Sequence, residues 1–236
     1  MNVEFMDHVK AVGFDLDGTL VNSRMANARA IEAIQKKWAR SPLSAGELYT
    51  LIGKHMSVIF EKLGIDPDQS DEVFNDLNAA YQDLAPRYVK PFENAIQLLT
   101  ELKEMGKKTA LITSNSRVGT NINLRLTKIE PNLFDCIVTS CDVEIHKPDP
   151  LPIKFAMEKL QVLPNEFIYI GDTRTDYEAS MAANTQFKLM AHNQCEESES
   201  ICESYHVKNF RTLRNAFQKS STNGSSTDIK KNELSI

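Results

Sequence analysis

Residues 9–23 read VKAVGFDLDGTLVNS, an apolar run that becomes polar within one turn. From Ala11 to Phe14 the run has the continuous apolar character of a strand that is buried on both faces of a parallel sheet. Other stretches share this form, the last of them weakly: 107–116, 135–142, 167–176 and 187–192. We therefore predict four or five buried strands that end in small polar or acidic side chains.

Helical patterns separate the predicted strands. Apolar residues recur at helical spacing in 93–105, and Gly106 stands where a C-terminal cap belongs. A second helix is predicted over 152–160, with prolines near its start. Strands that alternate with helices predict an α/β fold with a Rossmann-like parallel sheet. In such sheets the ligand crevice lies outside the carboxyl ends of the strands, so the polar strand ends are expected to form one site.

The segment from about 24 to 88 has helical periodicity and no strand signal. Its last helical pattern, which includes Tyr81, is predicted to end at Pro86. We interpret the segment as an all-helical cap domain inserted between the first two strands, with hinges near 21–24 and 87–91. The predicted division is a core of residues 1–21 and 90–218, a cap of residues 22–89, and a disordered tail of residues 219–236 that lacks aromatics and periodicity.

Composition excludes several classes of protein. Hydrophobic residues make up 42% and charged residues 25% of the 236 positions, as in ordinary globular domains. The formal net charge of −5 argues against a nucleic-acid-binding domain, and no apolar run approaches the ~20 residues of a membrane span. We expect a cytoplasmic monomer or weak homodimer. The cysteines match no disulfide or zinc pattern and are expected to be buried free thiols: Cys136, Cys141, Cys195 and Cys202.

Acidic side chains cluster at the predicted strand ends. Asp15 and Asp17 stand two residues apart, so their carboxylates point to the same side if the backbone stays extended. Asp172 and Asp176 follow the later strand. Four carboxylates at one place would repel one another without a cation, and an oxygen-rich site favours Mg²⁺. The sequence predicts a magnesium site, although Asp176 on its own could be an ordinary helix cap.

Two further features suit an anion. Thr113 and Ser114, in ITSNS, lie between a predicted strand and the next helix, where hydroxyl and free N–H groups can bind phosphate. Lys147, in EIHKPDP, offers a compact positive charge. Each has an ordinary alternative, a turn and cap for the hydroxyls and a solvated surface position for the lysine. Together they favour a phosphate site beside the carboxylates.

These motifs resemble the four signature motifs of the haloacid dehalogenase superfamily. The matching stretches, in the family's order, are FDLDGTL (14–20), ITSN (112–115), HKPDP around Lys147, and GDTRTD (171–176). The likeness runs from about residue 9 to 190, and the helical insert resembles the cap of the phosphoglycolate phosphatase and β-phosphoglucomutase branch. The superfamily's dehalogenases, phosphonate hydrolases and transporting ATPases lack an acid at the position of Asp17, so the resemblance implies an oxygen ester of phosphate.

The resemblance implies a role for each matching residue. Asp15 would attack phosphorus and become an aspartyl phosphate, and Asp17 would protonate the leaving oxygen and then deprotonate water. The Asp15 side chain, the Asp17 backbone carbonyl and Asp172 would hold Mg²⁺, while Asp176 would orient Lys147 or a metal-bound water. The residues expected to bind the phosphoryl group are Thr113, Ser114, Asn115 and Lys147.

Substrate choice is expected to come from the cap. LIGKHMS (51–57) resembles the family's cap loop, so Gly53, Lys54 and His55 are expected to face the substrate, although Lys54 and His55 could equally be solvated. A cation there suits a small acidic leaving group. The sequence therefore predicts a Mg²⁺-dependent phosphatase of small phosphorylated metabolites, most like phosphoglycolate phosphatase. Alternatives are a sugar phosphomutase, an inorganic pyrophosphatase or, from another class, a non-catalytic binding protein on the same fold.

Two local features depart from the family or stay open. Asn184 stands where glycine is common, and asparagine tolerates the left-handed conformation. The Lys147–Pro148 peptide bond could be cis or trans.

Overall fold

A computed structural model describes residues 8–39, 42–51, 56–192 and 201–227 of the chain. Strands and helices alternate along most of it, as the hydrophobic pattern predicts. The strands are β1 (Ala11–Phe14), β2 (Val21–Asn22), β3 (Lys90–Pro91), β4 (Lys108–Ile112), β5 (Cys136–Val138), β6 (Phe167–Gly171), β7 (Gln186–Met190) and β8 (His206–Val207). The helices are α1 (Arg24–Trp38), α2 (Ala45–Thr50), α3 (Met56–Leu63), α4 (Ser70–Tyr88), α5 (Ala95–Glu104), α6 (Arg117–Thr127), α7 (Leu151–Leu160), α8 (Arg174–Ala182) and α9 (Phe210–Thr227).

Six strands form one parallel sheet in the order β5-β4-β1-β6-β7-β8. The chain starts at β1, proceeds outward on one side through β4 and β5, and then crosses to β6 on the other side. This reversal beside β1 is the topological switch point at which α/β sheets bind ligands. The predicted Rossmann-like α/β fold is confirmed, and the short edge strand β8 is an addition that the sequence pattern did not show.

Apolar side chains cover both faces of the sheet, which explains why β1 is buried along its whole length. Val12 and Phe14 face the cluster that includes residues of α5, α6 and α9. Ala11 faces the other cluster, with residues of α7 and α8. The alternation of side chains along β1 therefore places its backbone between the two apolar clusters. Asp15, the residue after Phe14, is itself buried.

Helices α1–α4, called here the helical insert, lie between β2 and β3 and have an apolar cluster of their own. The two short strands pair antiparallel, with Val21 opposite Pro91 and Asn22 opposite Lys90, at the positions predicted to be hinges. Helix α1 packs along α4. The predicted end of α4 at Pro86 is wrong, because the helix continues to Tyr88 with Pro86 in its last turn, where proline removes only one N–H group.

Other expectations can be compared directly. Helix α9 continues to Thr227, so the predicted disordered tail from residue 219 differs from the structure up to that point, and residues 228–236 lie outside the described part. Asn184 has a φ of 57°, and the Lys147–Pro148 bond is cis. Within the described ranges no helix combines the length and apolarity needed to cross a membrane. Cys136, Cys141 and Cys202 are free thiols, but the prediction that they are buried is wrong, because Cys141 and Cys202 are exposed and Cys136 is half-buried. Cys195 lies outside the described residues.

Candidate active site

The candidate site lies where the carboxyl ends of β1, β4 and β6 meet. Phe14 is in register with Leu111 on one side and Ile170 on the other. Asp15 therefore leaves the sheet level with the ends of both neighbouring strands, and its backbone N–H donates to the carbonyl of Ile170 at 2.9 Å. The three strand ends that the sequence singled out do converge on one place.

A buried lysine joins two of the predicted acids. The Lys147 Nζ donates to Asp15 Oδ1 at 2.7 Å and to Asp176 Oδ1 at 2.6 Å. Only 4% of the Lys147 side chain and 1% of the Asp176 side chain are exposed. The same ammonium also donates to the Tyr169 hydroxyl at 2.9 Å. Lys147 is thus held rigidly beside Asp15, and the solvated alternative for it is wrong.

The Asp176 carboxylate makes two sets of hydrogen bonds, one to Lys147 and Tyr169 and one to the start of helix α8. Its Oδ1 accepts from Lys147 and, at 3.1 Å, from the Tyr169 hydroxyl. Its Oδ2 accepts from the backbone N–H and the hydroxyl of Thr173, which completes a capping box at the start of α8. Both oxygens are therefore occupied by protein donors, so Asp176 orients Lys147 and caps the helix at once.

Burial controls the ionisation of these carboxyls. It raises the pKa of Asp15 to about 7, and the nearby Lys147 ammonium only partly offsets this effect. Burial and the neighbouring Asp15 raise the pKa of Asp172 well above its usual range. Burial also opposes ionisation of Asp176, yet the Lys147 charge and the hydrogen bonds from Lys147 and Thr173 together outweigh it and lower the pKa of Asp176. One lysine therefore compensates only part of the negative charge that three ionised aspartates would carry.

Asp15, Asp172 and Asp176 each place one carboxylate oxygen within 4.8 Å of the others. Since Asp176 is bound by Lys147 and Thr173, Asp15 and Asp172 are the side chains that can turn an oxygen toward a cation. One Asp172 oxygen, Oδ1, accepts from the Thr19 hydroxyl at 3.1 Å. The carboxylate still offers an oxygen of the kind that binds a hard cation. These oxygen donors, buried and short of positive charge, fit Mg²⁺, and Mg²⁺ would be held by Asp15 and Asp172.

The Asp17 carboxylate lies apart from this cluster. Its Oδ1 accepts from the Ser23 hydroxyl and, at 2.9 Å, from the Asn123 amide, and its Oδ2 accepts from the Asn115 amide. Burial raises the pKa of Asp17 to about 6, against the effect of the Ser23 hydrogen bond. The carboxylate is therefore held by three side-chain donors, and any share in a metal site would fall to its backbone carbonyl.

Gly18 allows the turn to bring Asp172 close. Its φ is 92°, and a Cβ built there would lie 2.5 Å from the Asp172 Cγ. Side chains avoid positive φ, and this one would also overlap the carboxylate. The turn after Asp17 therefore requires glycine for two separate reasons.

Replacing Gly18 by Ala is expected to destabilise the fold by about 2–4 kcal/mol and to displace Asp172. Gly106→Ala is the matched control, because Gly106 has a φ of 70° but no atom within 4 Å of a built Cβ. That control should lose only about 1 kcal/mol, the cost of the left-handed backbone. Chemical denaturation of both variants measures the difference, and equal losses would show that crowding by Asp172 is unimportant.

The expected phosphate-binding residues are only partly brought together. Thr113 is buried at the end of β4, and its Oγ1 accepts from the Asn115 N–H at 3.1 Å, while Ser114 is exposed. The Asn115 side chain contacts Asp17, so the structure shows it as a partner of the acid. The cap-loop residues Gly53, Lys54 and His55 lie outside the described residues.

Sequence reasoning missed several residues of the site. Ser23 follows the DxDGT turn, and in the sequence it could be recognised only as a helix-capping residue before α1. Asn123 and Tyr81 stand inside helical stripes and gave no sign of a polar role. Tyr169 belongs to an apolar strand run, where an aromatic residue predicts packing. Apart from Ser23, which is six positions from Asp17, these residues make tertiary contacts between segments far apart in the chain, which spacing alone does not reveal.

Comparison with known proteins agrees with this geometry. Residues 12–190 match the sequence model of a family described as haloacid dehalogenase-like hydrolases. Pyrophosphatase PpaX of Anoxybacillus flavithermus is 30% identical over 179 residues, which cover 76% of this chain and 82% of that protein. The family match spans the carboxyl ends of β1, β4 and β6.

Solved structures share the fold. A predicted phosphoglycolate phosphatase from Haemophilus somnus superposes with a TM-score of 0.78 at 21% identity, covering 87% of this chain and 96% of that one. CbbY from Rhodobacter sphaeroides, solved in complex with phosphate, gives a TM-score of 0.69 at 20% identity, with 86% and 95% covered. At such identities the likeness supports the fold and leaves the reaction to be argued from the residues.

Proposed function

We propose that this chain, which belongs to the haloacid dehalogenase-like hydrolase family, is a Mg²⁺-dependent phosphatase of small phosphomonoesters, most like phosphoglycolate phosphatase. One observation carries the proposal. Asp15 is buried at the end of the central strand with Lys147 at 2.7 Å and the Asp172 carboxylate beside it, while the Asp17 carboxylate is held separately nearby. The proposed nucleophile, cation site and acid–base group thus lie together at the carboxyl ends of β1 and β6.

In the proposed mechanism an Asp15 carboxylate oxygen attacks phosphorus, and the bond from phosphorus to the leaving oxygen breaks. Asp17 gives its proton to that oxygen, so a neutral alcohol departs and an aspartyl phosphate remains. Asp17, now ionised, then takes a proton from water as the water attacks phosphorus. Phosphate leaves and Asp15 is regenerated.

Charge stabilisation accounts for the rest of the proposed catalysis. Mg²⁺ would act as a Lewis acid that offsets negative charge on the phosphoryl oxygens. Lys147 neutralises Asp15 and adds a fixed positive charge beside the transferring group, and Asp176 with Tyr169 keeps it there. Thr113 and the Ser114 N–H would donate to phosphoryl oxygens at the end of β4.

A phosphate-release screen tests the proposed substrate class. Purified protein is incubated with about a hundred phosphorylated metabolites, with Mg²⁺ and with EDTA, and free phosphate is measured. We expect release from small acidic monoesters, 2-phosphoglycolate foremost, only with Mg²⁺. Isomer formation from glucose 1-phosphate without free phosphate would instead indicate a mutase, and the absence of Mg²⁺-dependent release from every ester would favour a non-catalytic binding protein.

Inorganic pyrophosphatase is the second candidate, favoured by the identity to pyrophosphatase PpaX over most of both chains. The same Asp15 chemistry would apply, with phosphate as the leaving group. Parallel kcat/KM measurements with pyrophosphate and 2-phosphoglycolate separate the two. A preference for pyrophosphate of tenfold or more, about 1.4 kcal/mol, would assign the chain to this alternative.

Metal affinity is expected to depend on pH. The folded-state pKa of Asp15 is raised to about 7, so its favourable contribution to stability is complete at low pH and is lost as pH rises through 7. A cation reverses this loss, but it must displace the proton. We predict that Mg²⁺ affinity weakens by at least about tenfold for each pH unit below 7, and more steeply than that if Asp172, whose pKa is also raised, has to lose a proton as well.

Thermal shift at several Mg²⁺ concentrations measures this dependence. The rise in Tm on adding Mg²⁺ should be large at pH 8, small at pH 5, and absent at both in Asp172→Asn. A rise that does not change with pH in the wild type, or that survives in Asp172→Asn, would contradict the assigned cation site.

A further inference from the structure

The hydrogen bonds around Asp17 continue into the helical insert. The Asn123 Nδ2 donates to Asp17 Oδ1 at 2.9 Å, and the Asn123 Oδ1 accepts from the Tyr81 hydroxyl at 2.6 Å. Asn123 lies on α6, which packs on the sheet, whereas Tyr81 lies on α4 of the helical insert. A chain of two hydrogen bonds therefore connects the insert to the proposed acid–base group.

Tyr81 controls which way the Asn123 amide faces. An amide has a donor end and an acceptor end, and here the acceptor end is bound by the Tyr81 hydroxyl. Burial raises the pKa of Tyr81 above its usual value, so the hydroxyl keeps its proton and remains a donor. With the oxygen fixed in this way, the Asn123 Nδ2 faces the Asp17 carboxylate.

The Asn123 side chain cannot replace a lost hydrogen-bond partner with solvent water, because it is fully buried. If the Tyr81 hydroxyl were removed, the Asn123 oxygen would be left without this donor at a cost of about 1–3 kcal/mol. The Asn123 amide would then be fixed at one end only, by its bond to Asp17, and this donor to the carboxylate would lose its defined position. The carboxylate would no longer be held in one orientation.

We propose that Tyr81 is a positioning residue, which through Asn123 holds the Asp17 carboxyl where it can protonate the leaving group. The inference deepens the proposed function and rests on it. It makes the acid step depend on how helix α4 sits against α6, so the helical insert contributes to proton transfer as well as to covering the site. Tyr81 itself needs no contact with the substrate.

Two substrates whose leaving groups differ in their need for a proton can test the role of Tyr81. The value of kcat/KM includes only the steps up to leaving-group departure, in which Asp17 acts as the acid. An alkyl phosphate such as 2-phosphoglycolate needs that proton, whereas 4-nitrophenyl phosphate has a leaving group that departs as an anion. General acid catalysis contributes about 10²–10⁴-fold, so a misplaced acid slows only the first substrate.

The experiment compares kcat/KM for both substrates in the full chain and its variants with Mg²⁺. Tyr81→Phe keeps the ring that packs between the two apolar clusters and removes only the hydroxyl. We expect it to lower kcat/KM for 2-phosphoglycolate by about tenfold or more, and for 4-nitrophenyl phosphate by less than about threefold. Asn123→Ala should show the same selective loss, and the double variant should lose little more than either single one.

Two controls frame the result. Tyr88→Phe removes a hydroxyl from the same helix, one that bonds to Arg29 instead, and should leave both substrates unaffected. Asp17→Asn should show the largest selective loss. If Asp17→Asn slows both substrates equally, its acid role fails and the inference with it. Suppose instead that Asp17→Asn lowers kcat/KM only for 2-phosphoglycolate, while Tyr81→Phe lowers it equally for both substrates or for neither. The inference alone is then overturned, because an equal loss is what partial misfolding produces.

Discussion

Replacing Asp15 by Asn is expected to lower turnover of the best phosphomonoester by about 10⁴-fold or more, with the fold intact. The amide is nearly the same size as the carboxylate and can still accept from Lys147. It cannot attack phosphorus at a useful rate, because the amide oxygen is uncharged and a far weaker nucleophile than a carboxylate oxygen. It also removes one of the two carboxylates that would hold Mg²⁺.

Phosphate release and circular dichroism of the variant check this result. The matched control is Asp135→Asn, since Asp135 is a half-exposed carboxylate that binds Lys103 and the backbone of Thr109 at the other end of the sheet. That control should keep full activity. Residual activity of Asp15→Asn within about tenfold of wild type would exclude Asp15 as the nucleophile.

Replacing Lys147 by Met should damage both stability and activity. The substitution leaves Asp15 and Asp176 without their shared cation in a buried place, and breaking a buried pair in this way costs about 3–5 kcal/mol. Loss of one preorganised donor to a transition-state anion typically costs about 10²–10³-fold in kcat. We expect both effects, with activity expressed per mole of folded protein.

Lys103→Met is the control of the same chemical change. Lys103 pairs with Asp135 at 2.8 Å, but the two side chains are 34% and 36% exposed, so the loss should stay below about 1 kcal/mol. Adding Asp176→Asn to Lys147→Met should recover part of the lost stability, because it removes one unpaired charge. Urea denaturation measures all four proteins. Equal losses in Lys147→Met and Lys103→Met would contradict the buried network.

Local sequence carried most of what could be predicted about the site. The apolar run before Asp15 and the glycine after Asp17 are signals of strand and turn, and they place both acids without knowledge of the tertiary fold. Asp172 follows by the same reasoning, because parallel strands end at one edge of a sheet. Lys147 lies in the loop between β5 and α7, and only its resemblance to a family motif pointed to the site. The order of the strands in the sheet did not follow from these signals, since it depends on which faces pack together.

Contacts between distant helices could not be predicted. Tyr81 stands 42 positions from Asn123 and, like its neighbours on α4, has the spacing of a packing residue. Asn123 is a buried polar residue on α6, and nothing in the spacing says which hydrogen-bond partners satisfy it. Pro86 was taken as a stop signal, but in the last turn it costs only one hydrogen bond, and the bond from the Val89 N–H to the Ala85 carbonyl still forms at 2.8 Å. Such cases depend on three-dimensional neighbours.

Acid-quench labelling tests most directly whether a cation bound by acidic side chains lets one carboxylate attack a phosphate ester. The protein is mixed with a ³²P-labelled phosphomonoester, quenched in acid within milliseconds, digested and mapped by mass spectrometry. We predict label on the peptide containing Asp15, present with Mg²⁺, lost with EDTA and absent from Asp15→Asn. Rapid phosphate release with no label on that peptide, or label that forms equally well in EDTA, would contradict the account.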